Sequence, residues 1–236
     1  MDDRIASPSL PQEPAKPNPH ANRDSLEFGF RSKRFVAVQR LIQKVLDERG
    51  SCDIVDLGGT ELYWLIGDEF LQRNRGRINI TLVNLELEAV DDQAMFASMV
   101  GNATDLSLMA GRTFDLVHSN STIEHVGNLD DMARFASNVR RLAPRYYVQT
   151  PNFWFPYEPH FRFPGFQYLP EFVRVALLRR FSLGFFHKVP DRAEATDIIQ
   201  HHRLIGAGQM RSLFPDATVT FEKVMTLNKS IIAIRG

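Results

Sequence analysis

Apolar and polar positions follow two alternating periods along most of the chain. Between residues 60–73 and 128–142, apolar side chains recur every three or four positions, which is the spacing of an amphipathic helix. Short apolar runs typical of buried strands occupy residues 52–57, 78–86, 114–120 and 145–150. Strands that alternate with helices predict a doubly wound α/β fold, in which a mostly parallel sheet carries helices on both faces.

The two ends of the chain depart from this alternation. Residues 1–24 combine prolines with serines, asparagines and charged residues, and this composition favours a disordered Pro-rich tail. Helical spacing over residues 32–48 predicts a helix packed on the domain that fills residues 25–236. Near the other end, residues 217–225 and 229–236 predict two strands joined by a short turn. They would form an antiparallel hairpin at the edge of the sheet.

An aromatic-rich insertion interrupts the pattern between residues 151 and 205. Within it, residues 169–186 predict an amphipathic helix with arginines close to its apolar side. That side is formed by Phe172, Val173, Leu177 and Phe181. We interpret residues 151–205 as a cap that determines the substrate. The open alternatives are a lid packed on the core, an apolar substrate channel, and a peripheral membrane contact through residues 169–186.

Charge and composition argue against several classes of function. Lys and Arg number 28 and Asp and Glu also number 28, so no overall field attracts nucleic acid or an anionic membrane. Cys52 is the one cysteine, which excludes an intrachain disulfide and a cysteine-based zinc site. The acidic start MDDR lacks the basic region of a signal peptide, and no apolar run reaches the roughly 20 residues of a membrane helix. We therefore expect a cytoplasmic protein.

The first strand ends in the sequence IVDLGGT, and the end of a strand is where an open α/β sheet binds ligands. Gly58 and Gly59 let a ligand approach the backbone, and Asp56 points to the same side of the strand as Gly58. A carboxylate there could attract a cationic amine. A dinucleotide would require a fuller glycine fingerprint, and Glu61 would repel its phosphates. A tight turn without a ligand is the alternative.

Polar residues follow the next strands as well. Asn84 and Glu86 face the same way at the end of the second strand, where a carboxylate can accept hydrogen bonds from both hydroxyls of a ribose. Asn102, in the sequence GNATDL, suits the edge of an adenine or a simple turn. The sequence FDLVHSNSTIEHV then brings a further strand to an exit at Asn120.

Four segments, in this order, resemble the motifs of class I S-adenosylmethionine-dependent methyltransferases, of the group called methyltransferase type 11. They are IVDLGG, TLVNLE, GNATDL and FDLVHSNSTIEHV. The resemblance covers roughly residues 50–155 and, more loosely, the closing hairpin. It implies a Rossmann-like sheet and S-adenosyl-L-methionine as cofactor. The cofactor-binding residues implied are Asp56, Gly58, Gly59, Thr60, Asn84, Glu86, Asn102, Ala103 and Asn120.

The resemblance also implies how these residues are used. Gly58 and Gly59 would lie under the methionine part of the cofactor, with Asp56 facing its amino group through water. Asn102 and Ala103 would contact the adenine, and Asn120 the sulfonium end.

This chain departs from the family pattern at two points. Thr60 and Leu62 replace two glycines of the first motif. Asn84 stands where the second strand usually has its acid, which leaves Glu86 as the ribose partner.

Methyl transfer is mainly a matter of alignment, but a hydroxyl acceptor needs a base to remove its proton. Glu158 and His160, two residues apart in an extended segment, can reach one pocket, and His125 follows the fourth clear strand. These three are the candidate catalytic residues, with a structural salt bridge as the alternative for the pair. We expect no metal site, although Asp130 and Asp131 offer carboxylates.

Three further histidines, His187, His201 and His202, are additional candidates. His201 and His202 would point apart on a helix and so would not form a metal pair.

The sequence thus predicts methyl transfer to an oxygen or nitrogen of a small-molecule, saccharide or lipid-linked acceptor, without nucleic acid. Two alternatives remain open. One is a non-catalytic relative that only binds the cofactor, and the other, less favoured, is an NAD(P)-dependent oxidoreductase.

Overall fold

The structure, a computed structural model, describes residues 26–236. The predicted tail at residues 1–24 lies outside the described residues. In the described part, the strands are β1 (Cys52–Leu57), β2 (Ile78–Asn84), β3 (Phe96–Val100), β4 (Leu116–Asn120), β5 (Arg145–Pro151), β6 (Tyr157–Glu158), β7 (Phe163–Pro164), β8 (Thr218–Val224) and β9 (Leu227–Arg235). The helices are α1 (Leu26–Arg49), α2 (Glu61–Trp64), α3 (Asp68–Arg73), α4 (Leu129–Leu142), α5 (Glu171–Leu178), α6 (Arg192–Gln200) and α7 (Ala207–Leu213).

Seven strands form one sheet in the order β3-β2-β1-β4-β5-β9-β8. The first five strands in this order run parallel to one another, and β9 runs antiparallel to both β5 and β8. This confirms the predicted mostly parallel sheet that closes with an antiparallel hairpin at its edge. The strand order reverses between β1 and β4, where Asp56 is in register with His118. The exits of these two strands therefore share the crevice where such sheets bind ligands.

The sheet is buried on both faces. On one face α1 contributes Phe35, Val38, Ile42 and Val45 to an apolar cluster with β1 and β2. On the other face α4 contributes Met132, Phe135, Val139 and Leu142, and α7 adds Met210. Two packed layers around a twisted sheet are the doubly wound arrangement that the strand-helix alternation predicts.

Two details of the first half differ from the sequence expectation. Strand β3 has no predicted counterpart, because only Phe96 among its side chains is buried and the apolar signal is weak. Residues 60–73 form two helices separated by a 3₁₀ turn at Leu65–Gly67 instead of one helix. A Cβ on Gly67 would lie 1.9 Å from the ring of Phe35, so α1 packs directly against the turn. Thr60 precedes α2 but makes no side-chain capping hydrogen bond.

The insertion at residues 151–205 contains its own apolar cluster. Phe161, Phe166, Val175, Leu178 and Ile199 pack together there. This cluster joins the hairpin of β6 and β7 to α5 and α6.

Helix α5 is shorter than predicted and buries a different face. Val175 and Leu178 are buried, whereas Phe172 is 73% exposed, and Phe181 lies beyond the end of the helix. The packed side is therefore centred on Val175 and Leu178, and of the predicted apolar side Leu177 also packs against the insertion cluster. In the described part of the chain, no helix has the length and apolarity needed to cross a bilayer.

Candidate functional site

The turn after β1 depends on both of its glycines. Gly58 has a φ of 77°, and a Cβ there would lie 2.4 Å from Oγ1 of Thr122. A Cβ on Gly59 would lie 1.8 Å from a carboxylate oxygen of Asp56. Because a Cβ at either position would overlap neighbouring atoms, the packing of the protein alone requires glycine at both.

Asp56 lies beneath this turn and is fully buried. Trp64 Nε1 donates to one carboxylate oxygen at 2.8 Å, and His118 Nδ1 donates to the other at 2.8 Å. The His118 ring stacks on Tyr147, with centroids 5.6 Å apart. The sequence expectation placed this carboxylate before the amine of a ligand. In the structure both oxygens already have protein partners, and the network joins β1, β4 and β5.

The exit of β2 supports the same turn. Asn84 Nδ2 donates to the carbonyl of Gly59 at 2.8 Å. Glu86 is exposed in the bend that follows β2. The carboxylate of Glu61 accepts the backbone N–H groups of Asp91 and Asp92 at 2.7 and 3.1 Å. Glu61 therefore fixes the segment after β2, a role that its position in the sequence does not indicate.

The segment after β3 is tied to α4. Asn102 Oδ1 accepts hydrogen bonds from the backbone N–H and the hydroxyl of Thr104, at 2.9 and 2.8 Å, which is a local turn. The carbonyl of Ala103 accepts from Asn138 Nδ2 at 2.8 Å. Asn102 is exposed, so its amide group faces solvent at the carboxyl edge of the sheet.

At the exit of β4, one buried hydrogen-bond acceptor has no partner. Asn120 Oδ1 is buried and has no hydrogen-bond partner. The next residue, Ser121, has a φ of 55°, and the hydroxyl of Thr122 donates to the carbonyl of Leu57 at 3.1 Å. A buried acceptor without a partner costs about 1–3 kcal/mol, so a ligand donor or a water at this oxygen would be stabilised.

A cavity of about 700 Å³ opens beside the exits of β4 and β5. Ser121 and Gln149 line it from the sheet, and Phe155, Tyr157 and His160 line it from the insertion. Aromatic walls reduce the water content of such a space and can attract a cation. The insertion therefore forms one wall of a pocket that reaches the carboxyl edge of the sheet.

Glu158 and His160 meet at this cavity. The Glu158 carboxylate is buried and accepts from His160 Nδ1 at 2.7 Å and from the backbone N–H of Phe161 at 2.6 Å. Since Nδ1 is used by the carboxylate, Nε2 is the nitrogen of His160 left for other chemistry.

His125 lies next to this pair but does not belong to the cavity lining. Its ring centroid is 4.8 Å from that of His160 and 4.7 Å from that of His202. Desolvation lowers the pKa of His125 well below its usual range, and the neighbouring His160 and His202 lower it further. The structure thus brings together three histidines from separate segments.

Glu124, which precedes His125, has no role in the sequence prediction. It is fully buried, and Oε2 accepts from the hydroxyl of Thr150 at 2.9 Å, whereas Oε1 has no partner. Burial raises the pKa of Glu124 to about 7. The only sequence signal for this residue is an acid in the segment STIEHV, shortly after a buried strand.

The other polar candidates have local structural roles. Asp131 accepts from the backbone N–H of Asn128 at 3.0 Å, and this hydrogen bond completes a capping box at the start of α4. Asp131 also forms an ion pair with Arg134. His201 and His202 follow the end of α6 and point apart, as expected. His201 pairs with Asp197 on the surface, and His202 turns towards His125.

Comparisons with known proteins support the fold. No family model matches the sequence. Two uncharacterized proteins of Mycobacterium tuberculosis strains, MT1557 and Rv1509, are 38% identical over 55 residues, which is 23% of this chain and 19% of theirs. The match therefore spans about a fifth of the length of these curated relatives.

Among solved structures, the CurJ carbon methyltransferase superposes with a TM-score of 0.52 and 8% identity, covering 92% of this chain and 57% of that one. The N-methyltransferase NodS from Bradyrhizobium japonicum WM9 has a TM-score of 0.48 and 10% identity, covering 90% and 98%. The CurJ comparison shows that this chain has the Rossmann-like fold of class I methyltransferases.

Proposed function

We propose that this protein is an S-adenosyl-L-methionine-dependent methyltransferase acting on an oxygen or nitrogen of a small-molecule, saccharide or lipid-linked acceptor. The observation that carries the proposal is a juxtaposition at the switch in strand order. The glycine turn after β1 and the unpartnered Asn120 Oδ1 after β4 lie at neighbouring exits, and Ser121, which follows Asn120, lines the same cavity as His160. This arrangement provides one place for a cofactor and an adjoining place for an acceptor.

The residues at the strand exits fit the cofactor in most respects. Gly58 and Gly59 expose backbone at the turn, Asn120 offers an acceptor atom, and Glu86 and Asn102 stand exposed at the exits where the ribose and adenine would bind. The bound cofactor would supply an electrophilic methyl group on a sulfonium. We assign these residues to cofactor binding, together with the backbone of Thr60 and Ala103.

Two residues act behind the cofactor site in this proposal. Asn84 holds the carbonyl of Gly59, and Asp56 fixes Trp64 and His118 below the turn. Both would position the turn instead of contacting the cofactor directly. The role of Asp56 thus differs from the one that the family resemblance implies.

Glu158 and His160 form the proton-handling group in this proposal, and His125 packs against the ring of His160 without lining the cavity. Glu158 fixes the ring of His160 and directs Nε2 away from the carboxylate. An acceptor in the cavity that loses a proton during methylation would transfer it to this group. Phe155 and Tyr157 would keep water from the reacting atoms.

The insertion is proposed to select the acceptor, and its outer surface suggests lipid-linked compounds. Phe172, Phe181 and Phe185 are 73, 56 and 66% exposed, with Arg179 and Arg180 exposed between them. Aromatic and basic side chains together favour contact with an anionic membrane surface. Co-sedimentation with phosphatidylglycerol vesicles should therefore fall when Phe172 and Phe181 are changed to serine. Equal co-sedimentation of the variant and the unchanged protein would contradict the membrane contact.

Calorimetric titration with S-adenosylmethionine, S-adenosylhomocysteine and NAD tests the proposal. We expect both adenosyl ligands to bind and NAD not to bind. Binding of NAD without either adenosyl ligand would instead favour an oxidoreductase.

A cofactor-binding protein without turnover is the second candidate. The observations that favour it are Thr60 and Leu62 at the usual glycine positions and the complete occupation of the Asp56 carboxylate. Transfer of a radiolabelled methyl group from the cofactor into lipid and small-molecule extracts separates the two. Label in an extracted product supports the enzyme, and its absence despite cofactor binding supports the second candidate.

A further inference from the structure

We propose that Glu124, His125 and His160 form a binding site for a divalent transition-metal ion, with His202 as an adjoining third imidazole. These residues come from the 3₁₀ turn after β4, from the insertion hairpin and from the segment after α6. The site departs from the sequence expectation, which assigns no metal ligands.

The ligand atoms of the three residues lie close together. One ligand atom from each of Glu124, His125 and His160 lies within 4.8 Å of the others. Within the described residues this is the one such group of histidine, cysteine and acidic side chains. A shift of about 1 Å per side chain would bring them to the roughly 2.0–2.2 Å at which a single zinc ion is bound.

The rings of the three histidines are arranged around a common centre. The three centroid separations among His125, His160 and His202 are 4.8, 4.7 and 5.1 Å. Three imidazoles bound tetrahedrally to one zinc ion, with Zn–N distances of about 2.1 Å, have centroids about 5 Å apart. The rings also lie at 67 to 86° to one another, so none stacks face to face on its neighbour. The three rings therefore have the spacing that they would have around one ion, and His125 and His160 also bring a ligand atom within 4.8 Å of Glu124, whereas His202 stands next to that group.

Glu124 has an oxygen that no protein group satisfies. Its side chain is completely buried, and Oε1 has no hydrogen-bond partner. Thr150 holds the other oxygen. A buried carboxylate with one unpartnered oxygen, next to two histidines, has the form of a ligand that awaits a cation.

Hydrogen bonds behind His160 and His202 also fit a metal site. Glu158 accepts from Nδ1 of His160, and the carbonyl of Ile198 accepts from Nδ1 of His202 at 2.7 Å. Histidine ligands of metals almost always donate their second nitrogen to a carboxylate or a carbonyl in this way, which fixes the ring and leaves the first nitrogen for the ion.

The ligand set decides the class of metal. Imidazoles with one carboxylate suit zinc, cobalt, nickel, copper and iron, whereas magnesium and calcium prefer sets made of oxygen. His125 is exposed, which gives an ion a path from solvent. We therefore expect zinc to bind and magnesium not to compete.

The metal site deepens the proposed function at one point. His160 lines the acceptor cavity, so an ion held by His160 lies at the wall of that cavity. The proton-handling group of the proposed methyltransferase would then be a metal centre, and this consequence alone rests on the proposed function. Metal binding itself does not.

Zinc analysis of the full chain tests the site. The protein is freed of metal by a chelator, dialysed against buffered Zn²⁺ with excess Mg²⁺, and analysed by mass spectrometry of the element. Co²⁺ then replaces zinc, and its visible absorption reports nitrogen and oxygen ligands. We expect one zinc per chain, with at least tenfold weaker binding in Glu124→Gln and in His160→Ala. The matched control is His187→Ala, since His187 is exposed and outside the cluster.

The outcomes are distinct. Zinc below stoichiometry in the unchanged protein, or equal zinc in Glu124→Gln and His187→Ala, would overturn the metal site. Circular dichroism of each variant separates loss of ligands from loss of the fold. Calorimetry of the metal-free protein with S-adenosylhomocysteine keeps the two proposals apart. A protein that binds this ligand and excludes zinc overturns only the metal site, and one that binds zinc but neither adenosyl ligand overturns only the methyltransferase.

Discussion

The exits of β1 and β4 are neighbours at the switch in strand order, but they differ in whether their buried side-chain oxygens have hydrogen-bond partners. Below the glycine turn, both oxygens of Asp56 accept hydrogen bonds, and Asn84 donates to Gly59. After β4, Asn120 Oδ1 and Glu124 Oε1 are buried without a protein partner. Paired groups hold the backbone in place, whereas a buried acceptor without a partner is available to a ligand. We call the paired groups around Asp56 and Asn84 the supporting side of the sheet edge, and the unpartnered oxygens of Asn120 and Glu124 its binding side.

The largest expected effect is on the supporting side. Gly59→Ala should lower the free energy of unfolding by more than about 3 kcal/mol, because the new methyl group would overlap a buried carboxylate that cannot move without breaking two hydrogen bonds. Urea unfolding followed by circular dichroism measures the loss.

Gly208→Ala is the matched control for this change, since a Cβ at Gly208 in α7 meets nothing within 4 Å. We expect it to be neutral or slightly stabilising. Equal stability of the two variants would show that Asp56 is not fixed below the turn.

On the binding side, the next effect is on turnover and not on folding. His160→Ala should lower kcat for methyl transfer about 100-fold, because it removes an imidazole that lines the acceptor cavity. Incorporation of label from radiolabelled S-adenosylmethionine is the measurement. His187→Ala should keep normal turnover, and an unchanged rate in His160→Ala would remove His160 from the chemistry.

A smaller effect distinguishes support from binding at Asp56. Asp56→Asn preserves shape but leaves one of the two donors, Trp64 or His118, poorly paired, which should cost about 1–3 kcal/mol of stability. Affinity for S-adenosylhomocysteine, compared by calorimetry, should change little. A variant with normal stability that no longer binds this ligand would restore the carboxylate to the role that the family resemblance implies.

The fold follows from sequence wherever the apolar signal is dense. The buried runs of β1, β2, β4 and β5 predict their strands, and Asn128 before an amphipathic pattern predicts the start of α4. Strand β3 escapes prediction because its exposed side chains carry almost no pattern. The break at Gly67 depends on the ring of Phe35 from α1, and no local signal in residues 60–73 reports that contact.

For the candidate site, the sequence predicts where along the chain the residues stand but not which residues they contact. The strand exits indicate where ligand-binding residues stand, and the two-residue spacing of Glu158 and His160 predicts that they can meet. Partners remote in sequence are not predicted. His118 lies 62 residues from Asp56, and His202 lies far along the chain from His125. Glu124 is missed because its burial depends on the insertion and the sheet together.

The most direct test of the account is the affinity of S-adenosylhomocysteine for the unchanged protein and for Asn120→Ala. Asn79→Ala serves as control, since Asn79 lies on β2 away from the strand exits and pairs with Asp53. We predict that the unchanged protein and Asn79→Ala bind the ligand equally. Asn120→Ala should bind about 10-fold more weakly, which is about 1.4 kcal/mol, while its stability stays the same or rises. No binding to any of the three proteins, or equal binding to all of them, would contradict a cofactor site on the binding side of the sheet edge.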